Sequence, residues 1–189
     1  SALAPLLFRG LGADVVCTND APDGRNINKD SGSLHLEHLQ AKVIETTADM
    51  GVAFDGDADR ALFVDEQGNI IDGDAALWIM AKLMQERGGL ASGKVVATVM
   101  SNIGLEIALA SRGIQLVRTA VGDKYVLEEL VRSGVEIGGE QSGHIIFPRA
   151  SLVGDGMMTA LRVFEAAAAS GKKLSELTEG FRRYPQVLV

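Results

Sequence analysis

Apolar positions in this chain fall into short, nearly continuous runs separated by stretches in which they recur every three or four residues. Residues 2–11 carry the helical spacing and are closed by Gly10 and Gly12, after which residues 14–18 read as a strand. Residues 19–26 are turn chemistry throughout, hence a surface loop. Ser33 is placed to cap a helix running to about Lys42, with Leu34, His38 and Ala41 on one face. Residues 50–54 and 61–64 are two apolar strands on either side of a polar hexapeptide, and residues 65–69 form a turn. Asp72-Gly73-Asp74 then opens a broad apolar helix over residues 75–86, stopped by Gly88-Gly89.

From there the order becomes regular. Strands are predicted at residues 94–100 and 115–120, and helices at residues 102–110 and 123–132. Strand-like runs at residues 135–138 and 145–147 precede a helix over residues 156–169 that is apolar nearly all round, as a helix held between layers would be. Alternation of this kind predicts an α/β fold with helices on a parallel or mixed sheet. The natural seam lies near Asp72, dividing residues 1–72, a partial α/β unit, from residues 73–189, a fuller one.

The composition, 47% hydrophobic and 23% charged over 189 residues, is that of a globular protein large enough to bury a core. A formal net charge of -7 argues against nucleic acid as a partner. No run is long enough to cross a bilayer, and the opening is not that of a signal peptide. The single cysteine, Cys17, rules out an internal disulfide and fits a cytoplasmic setting; its strand-like surroundings predict a buried, inert thiol. The chain starts at Ser1 and stops in Gln186-Val187-Leu188-Val189, ends that read as the boundaries of a fragment.

The polar hexapeptide is Asp55-Gly56-Asp57-Ala58-Asp59-Arg60, with carboxylates at three alternate positions and only small residues between them. Like charges crowded in this way call for a cation, and a set of hard oxygen donors suits Mg²⁺ or Ca²⁺. An EF-hand loop would place Asp55, Asp57 and Asp59 at positions one, three and five and Glu66 at twelve. Position six, however, is Arg60 in place of glycine, and the flanks are strands. An aspartate-nucleophile phosphatase would also set Asp-x-Asp after a strand, using Asp55, but the Thr that usually comes next is missing. A solvated acidic turn leaves the repulsion unanswered.

Gly138-Gly139-Glu140-Gln141-Ser142-Gly143-His144 is the second candidate. It offers a carboxylate, an amide, a hydroxyl and an imidazole on a glycine-freed backbone, a set suited to vicinal sugar hydroxyls. A Ser142–His144 hydrolase pair lacks the nucleophile elbow, and a polar turn between strands remains the plain alternative. Val121-Gly122-Asp123-Lys124-Tyr125 places glycine before a helix start where a phosphate could be received, although Asp123 acting as an N-cap explains most of it. Gly154-Asp155-Gly156 reads the same way. His35 and His38 are spaced for a metal, but without a third ligand nearby they read as surface residues.

Taken together, these stretches resemble the α-D-phosphohexomutase superfamily, and within it most closely the bacterial phosphoglucosamine mutases. The hexapeptide Asp55 to Arg60 resembles the superfamily's magnesium loop, and Gly139 to His144 its sugar-recognition loop. The narrower likeness rests on Asn26-Ile27-Asn28, Ser101-Asn102-Ile103-Gly104-Leu105-Glu106, Val121 to Glu128, and Tyr184-Pro185-Gln186. The resemblance implies two consecutive three-layer α/β units with mixed sheets, the second domain (lacking its first strand) and the third of a four-domain enzyme. It further implies Mg²⁺ on Asp55, Asp57 and Asp59, with Arg60 as a phosphate-side cation. Sugar contacts fall to Glu140 and Ser142, with His144 in the same pocket, and Lys124 holds substrate or moves a proton. The implied substrates are a hexosamine phosphate and its bisphosphate, interconverted through a phosphoserine; phosphomannomutase or phosphoglucomutase activity is the neighbouring alternative, and a binding module without turnover the non-enzymatic one. Neither a Ser-His-Asn-Pro stretch nor an Arg-x-Ser-Gly-Thr phosphate clamp occurs here, so no turnover is expected from this chain without the remaining domains of its polypeptide.

Overall fold

The computed structural model describes residues 3–187. Helix α1 (Leu3–Gly10) buries Ala4 and Phe8, one turn apart, and ends where Gly12 turns left-handed. The helix expected from residue 2 is seen from Leu3 onward, and Ser1, Ala2, Leu188 and Val189 lie outside the described residues. Residues 14–18, expected as a strand, pair with none among the described residues. Their alternation is real, with Val15 half-buried and Val16 57% exposed, but a strand also needs a neighbour for its ladder. The Val15 carbonyl instead accepts from Arg9 Nη2 at 3.0 Å. Cys17 is accordingly half-buried and not sealed in a core.

A 3₁₀ turn at Gly32–Leu34 stands where the next helix was expected to begin, and α2 occupies Glu37–Thr46. The expected face of Leu34, His38 and Ala41 is exposed. The buried positions are Leu36 and Val43, seven apart, with Leu39 and Gln40 between them at the same helical spacing. Strands β1 (Met50–Phe54), β2 (Ala61–Asp65) and β3 (Ile70–Ile71) form an antiparallel sheet in that order. The register Phe54↔Ala61 leaves the hexapeptide as the hairpin loop. Packing of α2 covers one face of this sheet, and Phe63 points to the other, into the main core.

Helix α3 (Gly73–Glu86) is buried at every position from Gly73 to Ala81, which makes it the centre of the molecule. After it come β4 (Lys94–Thr98), α4 (Ile103–Ser111), β5 (Gln115–Thr119), α5 (Asp123–Ser133), β6 (Gly138–Gly139) and β7 (Ile145–Ile146). The second sheet has the order β5-β4-β6-β7, parallel except for the β6–β7 pair. On β4, Val95 and Ala97 join the main core with α3 and α4, and Val96 joins a separate cluster with Val126 and Leu130 of α5. One strand read alternately from its two faces thus gives a helix–sheet–helix sandwich. The strand expected over residues 135–138 is reduced to Gly138–Gly139, because only there does the chain run alongside β4.

The final helices are α6 (Gly156–Ser170) and the short α7 (Leu174–Leu177). As expected, α6 lies between layers, packed on α3 and β2 through Thr159, Ala160, Val163 and Ala166. Phe8 of α1 stands 5.0 Å from Phe164 of α6, ring centre to ring centre, and also stacks near Phe54. One main core therefore runs from α1 to α7 across both sheets. Residues 181–187 cross the starts of α3 and α4, where Asn102 donates to the Tyr184 carbonyl at 2.8 Å and accepts from the Tyr184 amide at 2.9 Å. No helix among the described residues is long and apolar enough to cross a membrane.

Candidate metal centre and sugar-recognition loop

The β1–β2 hairpin folds its loop by a left-handed residue, Ala58 at φ 64°, and not by Gly56. A side-chain-bearing residue in that conformation carries strain of about 1 kcal/mol or more. The turn it makes brings one carboxylate oxygen each from Asp55, Asp57 and Asp59 within 4.8 Å of one another. Asp57 is exposed and the other two are half-buried. Inside the loop, Asp55 Oδ1 accepts from the Arg60 amide at 3.2 Å. The Arg60 guanidinium stands 3.6 Å from Asp55 and 3.7 Å from Asp59, a loose charge contact and no hydrogen bond. Asp59 Oδ1 and Arg60 Nε are buried with no hydrogen-bond partner among the described residues. Three converging carboxylates, with a buried Asp59 oxygen left without a donor among the described residues, fit a divalent cation such as Mg²⁺.

The stretch from Gly139 to His144 is the β6–β7 hairpin loop, closed by the Glu140 amide donating to the His144 carbonyl at 2.9 Å. Its floor is the start of α3. Asp72 caps that helix by accepting from the Ala75 amide and also accepts from Gln141 Nε2 at 3.3 Å. The Gly73 amide donates to the Gln141 carbonyl at 2.9 Å, and a Cβ on Gly73 would fall 2.0 Å from the Glu140 carbonyl oxygen. Only glycine lets loop and helix approach so closely.

The two loops meet. Arg60 and His144 form an antiparallel bridge, and the Ala61 amide donates to the Gly143 carbonyl at 3.2 Å. His144 is 6% exposed, with Nδ1 3.1 Å from Asp59 Oδ2. Its Nε2 is also buried without a partner among the described residues, and a Cβ on Gly154 would fall 2.4 Å from it. The Gly156 amide donates to the Ala58 carbonyl at 2.9 Å, so the lead-in to α6 seals the carboxylate loop from beneath. Of this packing, sequence offered only Gly154-Asp155-Gly156 as a signal. There Asp155 caps α6 through the Met158 amide, and its flanking glycines make the close approach.

A third segment closes the group. The Gly122 amide donates to Glu140 Oε1 at 3.1 Å, and the Ser142 hydroxyl donates to Glu140 Oε2 at 3.3 Å. Glu140 is thus oriented from both sides. Gly122, and not Asp123, is the N-cap of α5, and the Asp123 carboxylate takes the Lys124 amide. The Lys124 ammonium is 3.8 Å from Glu128 on a side chain 74% exposed.

These placements settle several alternatives. Glu66 bonds Ser175 and Gln67 in the β2–β3 turn and is not grouped with the three aspartates, which removes the EF-hand ligand at position twelve. Ser142 bonds Glu140 while His144 faces Asp59, so they make no nucleophile–base pair. His35 and His38 are exposed, as expected.

Comparison with known proteins shows the family of the chain. The family model described as phosphoglucomutase/phosphomannomutase, alpha/beta/alpha domain III, matches residues 72–184, and the corresponding domain II model matches residues 1–68. Phosphoglucosamine mutase of Solibacter usitatus is 57% identical over 187 residues, 99% of this chain and 42% of that protein. The chain therefore spans less than half the length of the curated relatives it matches. A phosphoglucomutase/phosphomannomutase family protein of Burkholderia thailandensis superposes with a TM-score of 0.83 at 28% identity, covering 96% of this chain and 40% of that one. N-acetylphosphoglucosamine mutase of Aspergillus fumigatus, solved with GlcNAc-6P and magnesium, has the same fold at a TM-score of 0.76 and 21% identity, covering 96% and 43%.

Proposed function

Because the chain belongs to the phosphoglucomutase/phosphomannomutase family, we propose that it forms the metal-binding and sugar-recognising centre of a phosphoglucosamine mutase. The observation that carries this reading is the bridge between Arg60 and His144, which joins the carboxylate loop to the donor-rich loop as one surface. The names of relatives such as the Solibacter protein support glucosamine phosphate over glucose or mannose phosphate. Division near Asp72, with residues 1–72 as a partial second domain and 73–189 as the third, completes the assignment.

In this reading Asp55, Asp57 and Asp59 hold Mg²⁺, and the magnesium in the Aspergillus structure supports it. When bound, the ion neutralises charge on the transferred phosphoryl group. Arg60, already against two of the carboxylates, steadies the phosphate side. Glu140 and Ser142 take sugar hydroxyls on a loop that arrives pre-formed, and Lys124 reaches the substrate from the rim. His144 belongs to the same site, at its buried side. The complete enzyme interconverts glucosamine 6-phosphate and glucosamine 1-phosphate in the cytoplasm, through a phosphoserine and a bisphosphate. This chain supplies neither that serine nor the last domain's phosphate clamp.

A coupled assay on the complete polypeptide tests the proposal. Asp57→Asn is expected to lower kcat by about a hundredfold or more, with glucosamine 6-phosphate preferred over the glucose and mannose phosphates. Sustained turnover by the 189-residue chain alone would refute the need for the absent serine.

A further inference from the structure

Among the described residues, His144 is the buried side chain that touches the carboxylate trio from behind. A carboxylate only accepts, so the contact at Asp59 Oδ2 requires Nδ1 to carry the proton. In the neutral ring Nε2 is then a lone pair, and it lies against the Gly154 backbone with no donor among the described residues. Neither nitrogen is presented to a sugar. The residue is held at three points: its backbone by the bridge to Arg60, and its ring by Gly154 against Nε2 and by Asp59 at Nδ1.

Asp59 is otherwise weakly held. Its other oxygen has only the loose contact with Arg60 at 3.7 Å and no hydrogen bond among the described residues. A carboxylate on a hairpin loop with one free oxygen swings among rotamers unless its second oxygen is fixed. An imidazole N–H fixed by a sheet bridge supplies that restraint, as partners behind a ligand commonly do.

Resting on the magnesium reading above, we propose that His144 is a positioning residue for the metal, orienting Asp59 through Nδ1, and not a sugar ligand. The sugar-recognition loop thereby sets the geometry of the metal loop. Its glycine clamp makes the segment from Gly154 to Gly156 part of the same device.

Calorimetric titration of the full polypeptide with MgCl₂, and separately with glucosamine 6-phosphate in EDTA, tests this. His144→Ala is expected to weaken Mg²⁺ binding about ten- to a hundredfold and to leave metal-free sugar-phosphate affinity within about twofold. His144→Asn, whose amide N–H falls near the Nδ1 position, is expected to restore Mg²⁺ affinity to within about threefold of the parent. Gly154→Ala keeps the imidazole and all three carboxylates but drives a Cβ into Nε2, and is expected to weaken Mg²⁺ about tenfold. Thermal melts identify any variant that fails to fold, and the remaining two then carry the test. The proposal is overturned if His144→Ala keeps Mg²⁺ affinity while losing the sugar phosphate in EDTA, or if His144→Asn is as weak as His144→Ala. If Asp59→Asn also leaves Mg²⁺ affinity unchanged, the metal reading itself fails, a separate result.

Discussion

The triplet Asp-Gly-Asp occurs twice in this chain, at residues 55–57 and 72–74, and its two copies have opposite fates. The first sits in a hairpin loop, where Asp57 is exposed and the carboxylates converge with few donors to satisfy them. The second starts a helix. There Asp72 is consumed as a cap and paired with Arg183 at 3.3 Å, and Asp74 is wholly buried. The glycines differ as well: a Cβ at Gly56 would meet only side chains of Ile27 and Asn28 near 3.0 Å, whereas at Gly73 it would strike the Glu140 backbone. The element that the triplet leads into decides its use. A returning strand leaves the carboxylates for a ligand, and a helix absorbs them into structure.

Gly73→Ala is the hardest blow to this contrast. The backbone clash at 2.0 Å forces loop or helix to move, and urea denaturation should show a loss of about 3 kcal/mol or more. Gly56→Ala, facing the ends of flexible side chains, should lose less than about 1 kcal/mol in the same measurement. Equal losses would dissolve the distinction.

Asp74 sharpens it through pH. Burial pushes its carboxyl from 3.8 up to about 6, although the Asn102 amide donates to Oδ2 at 2.7 Å; Oδ1 has no partner among the described residues. The folded state thus holds this proton more tightly than the unfolded state. The site's contribution is most favourable below pH 4 and is lost as pH rises toward about 6. Asp74→Asn removes that loss. At pH 7.5 the variant should gain about 2 to 3 kcal/mol, and at pH 3.5 the two proteins should melt together. A gain that persists unchanged at pH 3.5 would place its cause elsewhere.

The smallest expected effect belongs to Ala58→Gly. Relief of the left-handed strain should stabilise the metal-free protein by roughly 0.5 kcal/mol, offset in part by the greater freedom of the unfolded chain. A midpoint shift in EDTA of the opposite sign would mean that the methyl group is needed by its neighbours.

Much of this architecture is written locally. Helices α3, α4, α5 and α6 were expected within a residue or two of where they lie, because their apolar spacing and their caps at Asp72, Asn102 and Asp155 act over a single turn. Failures came where the deciding partner is distant. Residues 14–18 have a strand's alternation and no ladder among the described residues, and the segment at 33–42 has two competing helical faces, of which tertiary packing chose the one through Leu36 and Val43. At the site, residue types and spacing identified both loops. That His144 turns to Asp59, or that Gly154 presses on its ring, depends on chain segments far away in sequence, which local periodicity does not record.

The contact between Asp59 and His144 spans 85 residues. Closing so long a loop costs entropy that the local β1–β2 hairpin does not face, so the hairpin can form before this meeting does. A chain arrested earlier has the hairpin and its three charges but not the imidazole beside Asp59. On the magnesium reading proposed above, refolding monitored by metal binding should therefore lag behind refolding monitored by the circular dichroism of the helices.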